Sequence, residues 1–121
     1  MLTRLLLALF LLAPGLAVAA NPAAEAAYQR ATDEGKQGQW VNAAASYQSA
    51  IAYDPNMALA YRGLGYSYFH LGRKADCIHA YERYLQLAPS DKAMADYVQK
   101  MRATVPDLKA VPTAKPVATP I

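Results

Sequence analysis

Apolar residues recur at helical spacing in five successive stretches of the chain, and short polar or Gly/Pro-containing runs separate them. Ala24, Ala27, Ala31 and Gly35 fall three and four apart. Ala43, Tyr47, Ala50 and Ile51 repeat the pattern, as do Tyr61, Leu64, Tyr68 and Leu71. Cys77, Ile78, Tyr81, Tyr84 and Leu85 form a fourth stripe, and Met94, Tyr97, Val98, Met101 and Val105 a fifth. Residues three and four apart share one face of a helix, so each stripe predicts one amphipathic helix. Local signals set the expected ends. Asn21 is a favoured N-cap and Pro22 is preorganised for the first helical position, so the first helix runs from there to about Gln37, with Gly38 as its stop. The second starts at Gln39-Trp40 and reaches about Tyr53, and Asp54-Pro55-Asn56 reads as a turn. A third spans about Met57–Leu71 and a fourth Arg73–Ala88, ended by Pro89. Ser90-Asp91 caps a fifth, which runs to about Thr104.

The punctuation is periodic. At one shared interval Gly72 repeats Gly38, Tyr81 repeats Tyr47, Leu85 follows Ile51, Pro89 repeats Pro55, and Gly65 follows Ala31. A period of about 34 residues marks a stacked two-helix repeat. With Tyr61, Leu64-Gly65, Tyr68, Gly72, Tyr81 and Pro89 in place, Ala24–Arg102 resembles a tetratricopeptide (TPR) repeat array. The resemblance implies an all-α fold: two helix–turn–helix repeats, about 22–55 and 56–89, and a capping helix at 90–104. These five helices make a short right-handed α-solenoid over residues 21–104. Arg30 and Glu34 stand where the second unit has Leu64 and Tyr68; the first unit of a stack needs a polar outer face for solubility. Gly65, within the stripe of the third helix, is expected to admit close approach of the partner helix.

Composition alters the picture at the two ends. Met1–Ala20 combines Arg4, an apolar run over Leu5–Leu12, a Pro14-Gly15 break and small residues at Ala17–Ala20. That is the layout of a cleaved secretory signal, and its flanks and length suit a membrane anchor less well. Residues 105–121 hold four of the eight prolines among Ala, Val, Thr and Lys; the composition predicts an extended, disordered tail. The net charge of +3 falls to +2 without Arg4, too little to argue for nucleic acid or an anionic membrane surface. The expected location is therefore a bacterial periplasm or the exterior, with the membrane a partner only if the signal is retained. One cysteine cannot form an internal disulfide, so stability must come from helix packing.

Candidate chemistry is sparse. Cys77 and His79 are two apart on a helix and diverge, so they form no local nucleophile–base pair. Without a phosphate loop or a catalytic constellation, the chain is expected to be no enzyme and to need no cofactor. Cys77 reads either as an exposed redox thiol or as a small core residue in the slot of Ala43. Met94 and Met101 read as core filler rather than copper ligands, with no second soft-ligand cluster. The remaining candidate is a surface implied by the resemblance, in which the first helix of each unit lines a concave groove for a partner's peptide or helix. Carried onto this chain, the groove takes Tyr28, Gln29, Thr32 and Lys36 from the first unit and Leu59, Arg62, Tyr66, Phe69 and His70 from the second. Asp96 and Lys100 join from the capping helix. Aromatic and arginine side chains are enriched at binding hot spots, and Tyr28, Arg62, Tyr66, Phe69, His70 and Lys100 are the site residues expected to bind a partner. The Lys/Asn set with which some TPR proteins grip a C-terminal carboxylate is not reproduced, since Tyr66 stands where Asn is wanted. The expected function is a non-catalytic adaptor or scaffold binding a protein or peptide. A self-associating dimer and, more remotely, a thiol or metal accessory protein are the alternatives.

Overall fold

The computed structural model describes residues 21–106 and 108. Five α-helices follow one another: α1 Pro22–Lys36, α2 Trp40–Tyr53, α3 Ala58–His70, α4 Lys74–Leu87 and α5 Lys92–Arg102. The expected signal segment Met1–Ala20 lies outside the described residues, as does the expected tail apart from its first residues. Among the described residues no helix is long and apolar enough to cross a membrane.

Local chemistry ends each helix. The Asn21 side chain accepts hydrogen bonds from the backbone N–H groups of Ala23 and Ala24, both at 3.2 Å, and so satisfies two of the donors a helix start leaves unpaired. Its amide also donates to the Tyr53 carbonyl at 2.8 Å, tying the start of α1 to the end of α2. Gly38 and Gly72 have φ of 72° and 71°, in the left-handed region where a Cβ is costly. Each closes its helix with the same pair of bonds. Gly38 N–H donates to Gly35 and Gln39 N–H to Glu34, at 3.0 and 2.9 Å. Gly72 N–H donates to Phe69 and Arg73 N–H to Tyr68, at 3.1 and 2.9 Å. This is the Schellman arrangement, used once in each repeat at the same register position. Asp91 caps α5 by accepting from Met94 N–H at 3.0 Å and from the Tyr84 hydroxyl at 2.8 Å. Those two bonds hold its carboxyl below the ordinary carboxylate range.

Each helix packs on the next in sequence, and α1 also reaches α3, so the two hairpins stack with their first helices side by side. Small residues set the spacing of the first hairpin: Ala24, Ala27 and Ala31 of α1 and Ala43, Ala44 and Ala50 of α2 are all buried. In the second hairpin Leu64 and Tyr68 are buried with Cys77, Ile78 and Tyr81. Tyr68, fully enclosed, receives a hydrogen bond from Gln48 Nε2 at 2.8 Å, and that bond joins the units. Val98 and Met101 close the stack from α5. Val105 and Leu108, beyond the last helix, remain partly buried against the same core.

Two expectations change. Arg30 and Glu34 do not merely face water: Arg30 Nε donates to Ser46 Oγ at 3.2 Å, and Ser46 Oγ donates to Glu34 Oε2 at 2.7 Å. Ser46 of α2 is buried, so the polar pair of α1 satisfies a buried hydroxyl. Tyr97, expected inward, is 41% exposed and meets the core only edge-on, its ring 6.1 Å from that of Tyr81. α5 packs mainly on α4, which leaves part of the stripe uncovered.

Cys77 is fully buried, and burial pushes its thiol up to about 11. A redox sensor needs an accessible thiolate; this side chain fills a gap between helices. Cys77→Leu should overpack that gap and cost about 1–3 kcal/mol, while Cys77→Ala costs less, as Ala43 serves in the matching slot. Urea denaturation of both variants checks the order. Rapid alkylation of the native thiol at neutral pH would contradict the packing.

Candidate interaction groove

The face shared by α1 and α3 carries two adjoining clefts, with volumes of about 380 and 330 Å³. The first is lined by Tyr28 from α1, Leu59, Arg62, Gly63 and Tyr66 from α3, Tyr81 from α4 and Met94 from α5. The second takes Thr32, Gly35 and Lys36 from α1, Trp40 and Tyr47 from α2, and Gly63, Tyr66 and Ser67 from α3. Gly63 and Tyr66 line both, so the clefts form one groove with Tyr66 on the saddle. Four residues expected to line a groove on this face are thus brought together beside Arg62 and Tyr66: Tyr28, Thr32, Lys36 and Leu59.

The groove owes its floor to two tyrosines, Tyr47 and Tyr81, that hold the same register position on the second helices of the two units. A Cβ on Gly63 would lie 2.2 Å from Cζ of Tyr47, and one on Gly65 would lie 2.6 Å from Cδ1 of Tyr81. Gly65 therefore admits its partner helix as expected, through a ring rather than a backbone. Gly63 does the same between units, pressed by a tyrosine of the preceding hairpin. The Tyr47 hydroxyl is 3.4 Å from that of Thr32, and its ring meets Tyr28 edge-on at 5.7 Å. Gly63→Ala gains about 1 kcal/mol of helix propensity but drives a Cβ into a ring held on both sides. The expected net result is a loss of about 1–3 kcal/mol, read from the urea midpoint. A stabilised variant would show that Tyr47 moves freely.

At one end of the groove, aromatic rings cluster around the exposed His70. Its imidazole stacks face to face on the Trp40 indole, with centroids 4.0 Å apart and planes within 5°. Tyr66 and Phe69 meet the same imidazole edge-on at 4.6 and 5.6 Å. Tyr66 is 51% exposed, Phe69 47% and Leu59 52%, so these side chains are surface and not core. Phe69 and His70, the last two residues of α3, line neither cleft. Lys100, exposed on α5, is not drawn into the groove. Among the described residues Arg62 makes no hydrogen bond or ion pair. Lys36 pairs only loosely with Asp33, at 3.7 Å and well exposed, a contact worth little in water.

Gly35, Trp40, Tyr47, Gly63, Ser67, Tyr81 and Met94 also line the clefts, and the repeat register alone does not reveal them as groove residues. For Trp40 a signal exists: it starts the helix directly after the Gly38 turn, level with the ends of α1 and α3. A further cleft of about 390 Å³ lies between α3 and α4, lined by Tyr61, Leu64, Tyr68, Asp76, His79, Ala80, Glu82, Arg83 and Gln86. Its charges already serve one another. Asp76 holds Arg73 at 2.6 Å, Glu82 meets His79 at 3.6 Å and Arg102, and Arg83 bonds Gln86 while lying over the Tyr61 ring. One polar atom there is unanswered: His79 Nε2 is buried without a hydrogen-bond partner among the described residues, while Tyr66 and Phe69 expose their rings on the α1–α3 face.

A stack of helical hairpins with an exposed aromatic groove along its first helices defines a repeat interaction module. The tetratricopeptide repeat model matches residues 28–92, and the chain belongs to that family. Repeats of this kind generally mediate protein–protein interaction and are typically non-catalytic. No match was found among curated proteins.

Proposed function

We propose that this protein is an exported, non-catalytic adaptor that holds an extended peptide or a helix of a partner protein in the α1–α3 groove. One observation carries the reading: Leu59, Tyr66 and Phe69 are about half exposed on a single face, although both hairpins already bury a core without them. Apolar side chains grouped in this way on a surface mark a site of association, and tyrosine, tryptophan and arginine supply most of the energy at such sites. Arg62, which makes no hydrogen bond or ion pair among the described residues, adds a cation beside the rings, suited to an acidic group on the ligand. A photo-crosslinker in place of Tyr66, used in intact cells, should trap a discrete protein; the same group in place of Arg83, on the opposite side, should not. Trapping from position 83 alone would move the site to the other cleft. A product of two copies of this chain from position 66 would instead identify self-association as the use of the groove.

Export rests on the composition of Met1–Ala20. The mature protein should begin at Ala20 or Asn21, which leaves Asn21 in place to cap α1. N-terminal sequencing checks this, and recovery of Met1 from a membrane pellet would replace the soluble periplasmic protein with an anchored one.

A further inference from the structure

We propose that the α1–α3 groove selects an extended acidic peptide of a partner protein, in which two carboxylate side chains about four residues apart straddle one large apolar side chain. The inference rests on that groove being a recognition surface, as proposed above, and goes beyond it by naming what the surface reads. Charge carries the argument. Arg62 lines the first cleft and Lys36 the second, and among the described residues that line the two no side chain is acidic. The cleft between α3 and α4 differs, with Asp76 and Glu82 beside Arg83. Arg62 and Lys36 are both exposed. Arg62 makes no hydrogen bond or ion pair among the described residues. Asp91, the carboxylate that feels its charge, is already engaged by Met94 N–H and the Tyr84 hydroxyl. Lys36 has Asp33 at 3.7 Å, with both side chains largely in water. A ligand that brings carboxylates therefore finds a cation in each cleft, and a basic ligand meets like charge in both.

Helix geometry sets the spacing. Lys36 stands two residues before Gly38, as His70 stands two before Gly72, so the repeat brings Lys36 level with His70. From Arg62 to that level is about 12 Å along α3. One helix spacing of about 8–10 Å leads across to α1, and the two together make roughly 15 Å. An extended chain advances about 3.3 Å per residue, and its alternate side chains share one face. Carboxylates at its first and fifth positions are thus about 13 Å apart, within reach of both cations on their long side chains. The third position falls on the same face, over the half-exposed Tyr66 ring that both clefts share. A helical ligand, at about 1.5 Å per residue, would need about ten residues for the same span.

The test selects short random peptides on the full mature chain, each peptide joined to a carrier protein at both ends so that no chain terminus is offered. The expected peptides carry Asp or Glu at two positions about four apart, with a large apolar residue midway, and are depleted of Lys and Arg. Those without tryptophan are then titrated against the protein. Its single tryptophan, Trp40, is the fluorescent reporter in the second cleft. Arg62→Gln and Lys36→Gln, each with an unchanged thermal melt, should weaken binding about two- to fivefold, the range for exposed ion pairs. Each variant should also become indifferent to replacing one of the two ligand acids by its amide, while Arg83→Gln binds as wild type does. Peptides without acid preference, or rich in Lys or Arg, would overturn the inference. So would acids about ten apart, which mean a helical ligand, an acid pair felt equally by wild type and both variants, or a selection that yields nothing. Failure of the groove itself reads differently. Peptides that Arg83→Gln releases, and that Tyr66→Ala with Phe69→Ala holds as tightly as wild type, would place recognition in the α3–α4 cleft. If the crosslinker in place of Tyr66 traps a protein in cells while the selection shows no acid preference, the groove stands and its charge reading falls.

Discussion

Tyr68→Ala should remove about 3–5 kcal/mol of stability, the range for deleting a buried aromatic side chain. The ring is fully enclosed, and three separate contacts depend on it. Its hydroxyl takes the Gln48 bond from the preceding hairpin at 2.8 Å. The Arg73 guanidinium lies 4.6 Å from its centroid, a cation–π contact partly shielded from water. Its remaining edge packs in the core cluster with Leu64, Cys77 and Ile78. Tyr68→Phe keeps the ring and loses only the Gln48 bond, about 1 kcal/mol. For a domain of this size each kcal/mol moves the melting temperature by about 4–8 °C, so the two variants are easily told apart. Urea midpoints at constant slope check the order. If Tyr68→Ala were no worse than Tyr68→Phe, the hairpins would not be joined through this ring.

Much of this architecture is legible in the sequence, because its signals are local. Asn21-Pro22, Gly38, Gly72, Pro55, Pro89 and Asp91 act on backbone groups within a few residues, and the helices start and stop beside them. The stripe Leu64–Tyr68 and the small slot at Cys77 follow from helical spacing plus the repeat period. What stays hidden depends on how one hairpin seats on the next. Gly63 carries no stripe signal, since it does not face its own hairpin partner; only the position of the Tyr47 ring explains it. The Trp40–His70 stack joins the start of one helix to the end of the next, a meeting set by the superhelical turn between units. Tyr97 fits the apolar period of α5, yet periodicity reports a face and not how much of that face a neighbour covers.

The first unit shows the same limit from the polar side. Arg30 and Glu34 satisfy the rule that the outer face of a first repeat be polar, and solvation alone would explain them. The Ser46 hydroxyl between them in space reveals a second use, because a buried hydroxyl without partners costs about 1–3 kcal/mol. Here a charge pattern that reads as surface also settles a polar atom of the interior.

The groove is tested most directly by Tyr66→Ala combined with Phe69→Ala. Both rings are about half exposed, and neither stands among the buried residues that hold the hairpins together. Circular dichroism should therefore show a folded protein of near wild-type helicity, with a melting temperature only a few degrees lower. Binding should fail outright, since truncating hot-spot aromatics costs about 2 kcal/mol or more each. Capture of partners from cell-envelope extract, run beside the thermal melt, gives both answers on one preparation. The expected result is a folded variant that retains none of the proteins held by wild type. A folded variant that captures them all would contradict the groove as the binding surface.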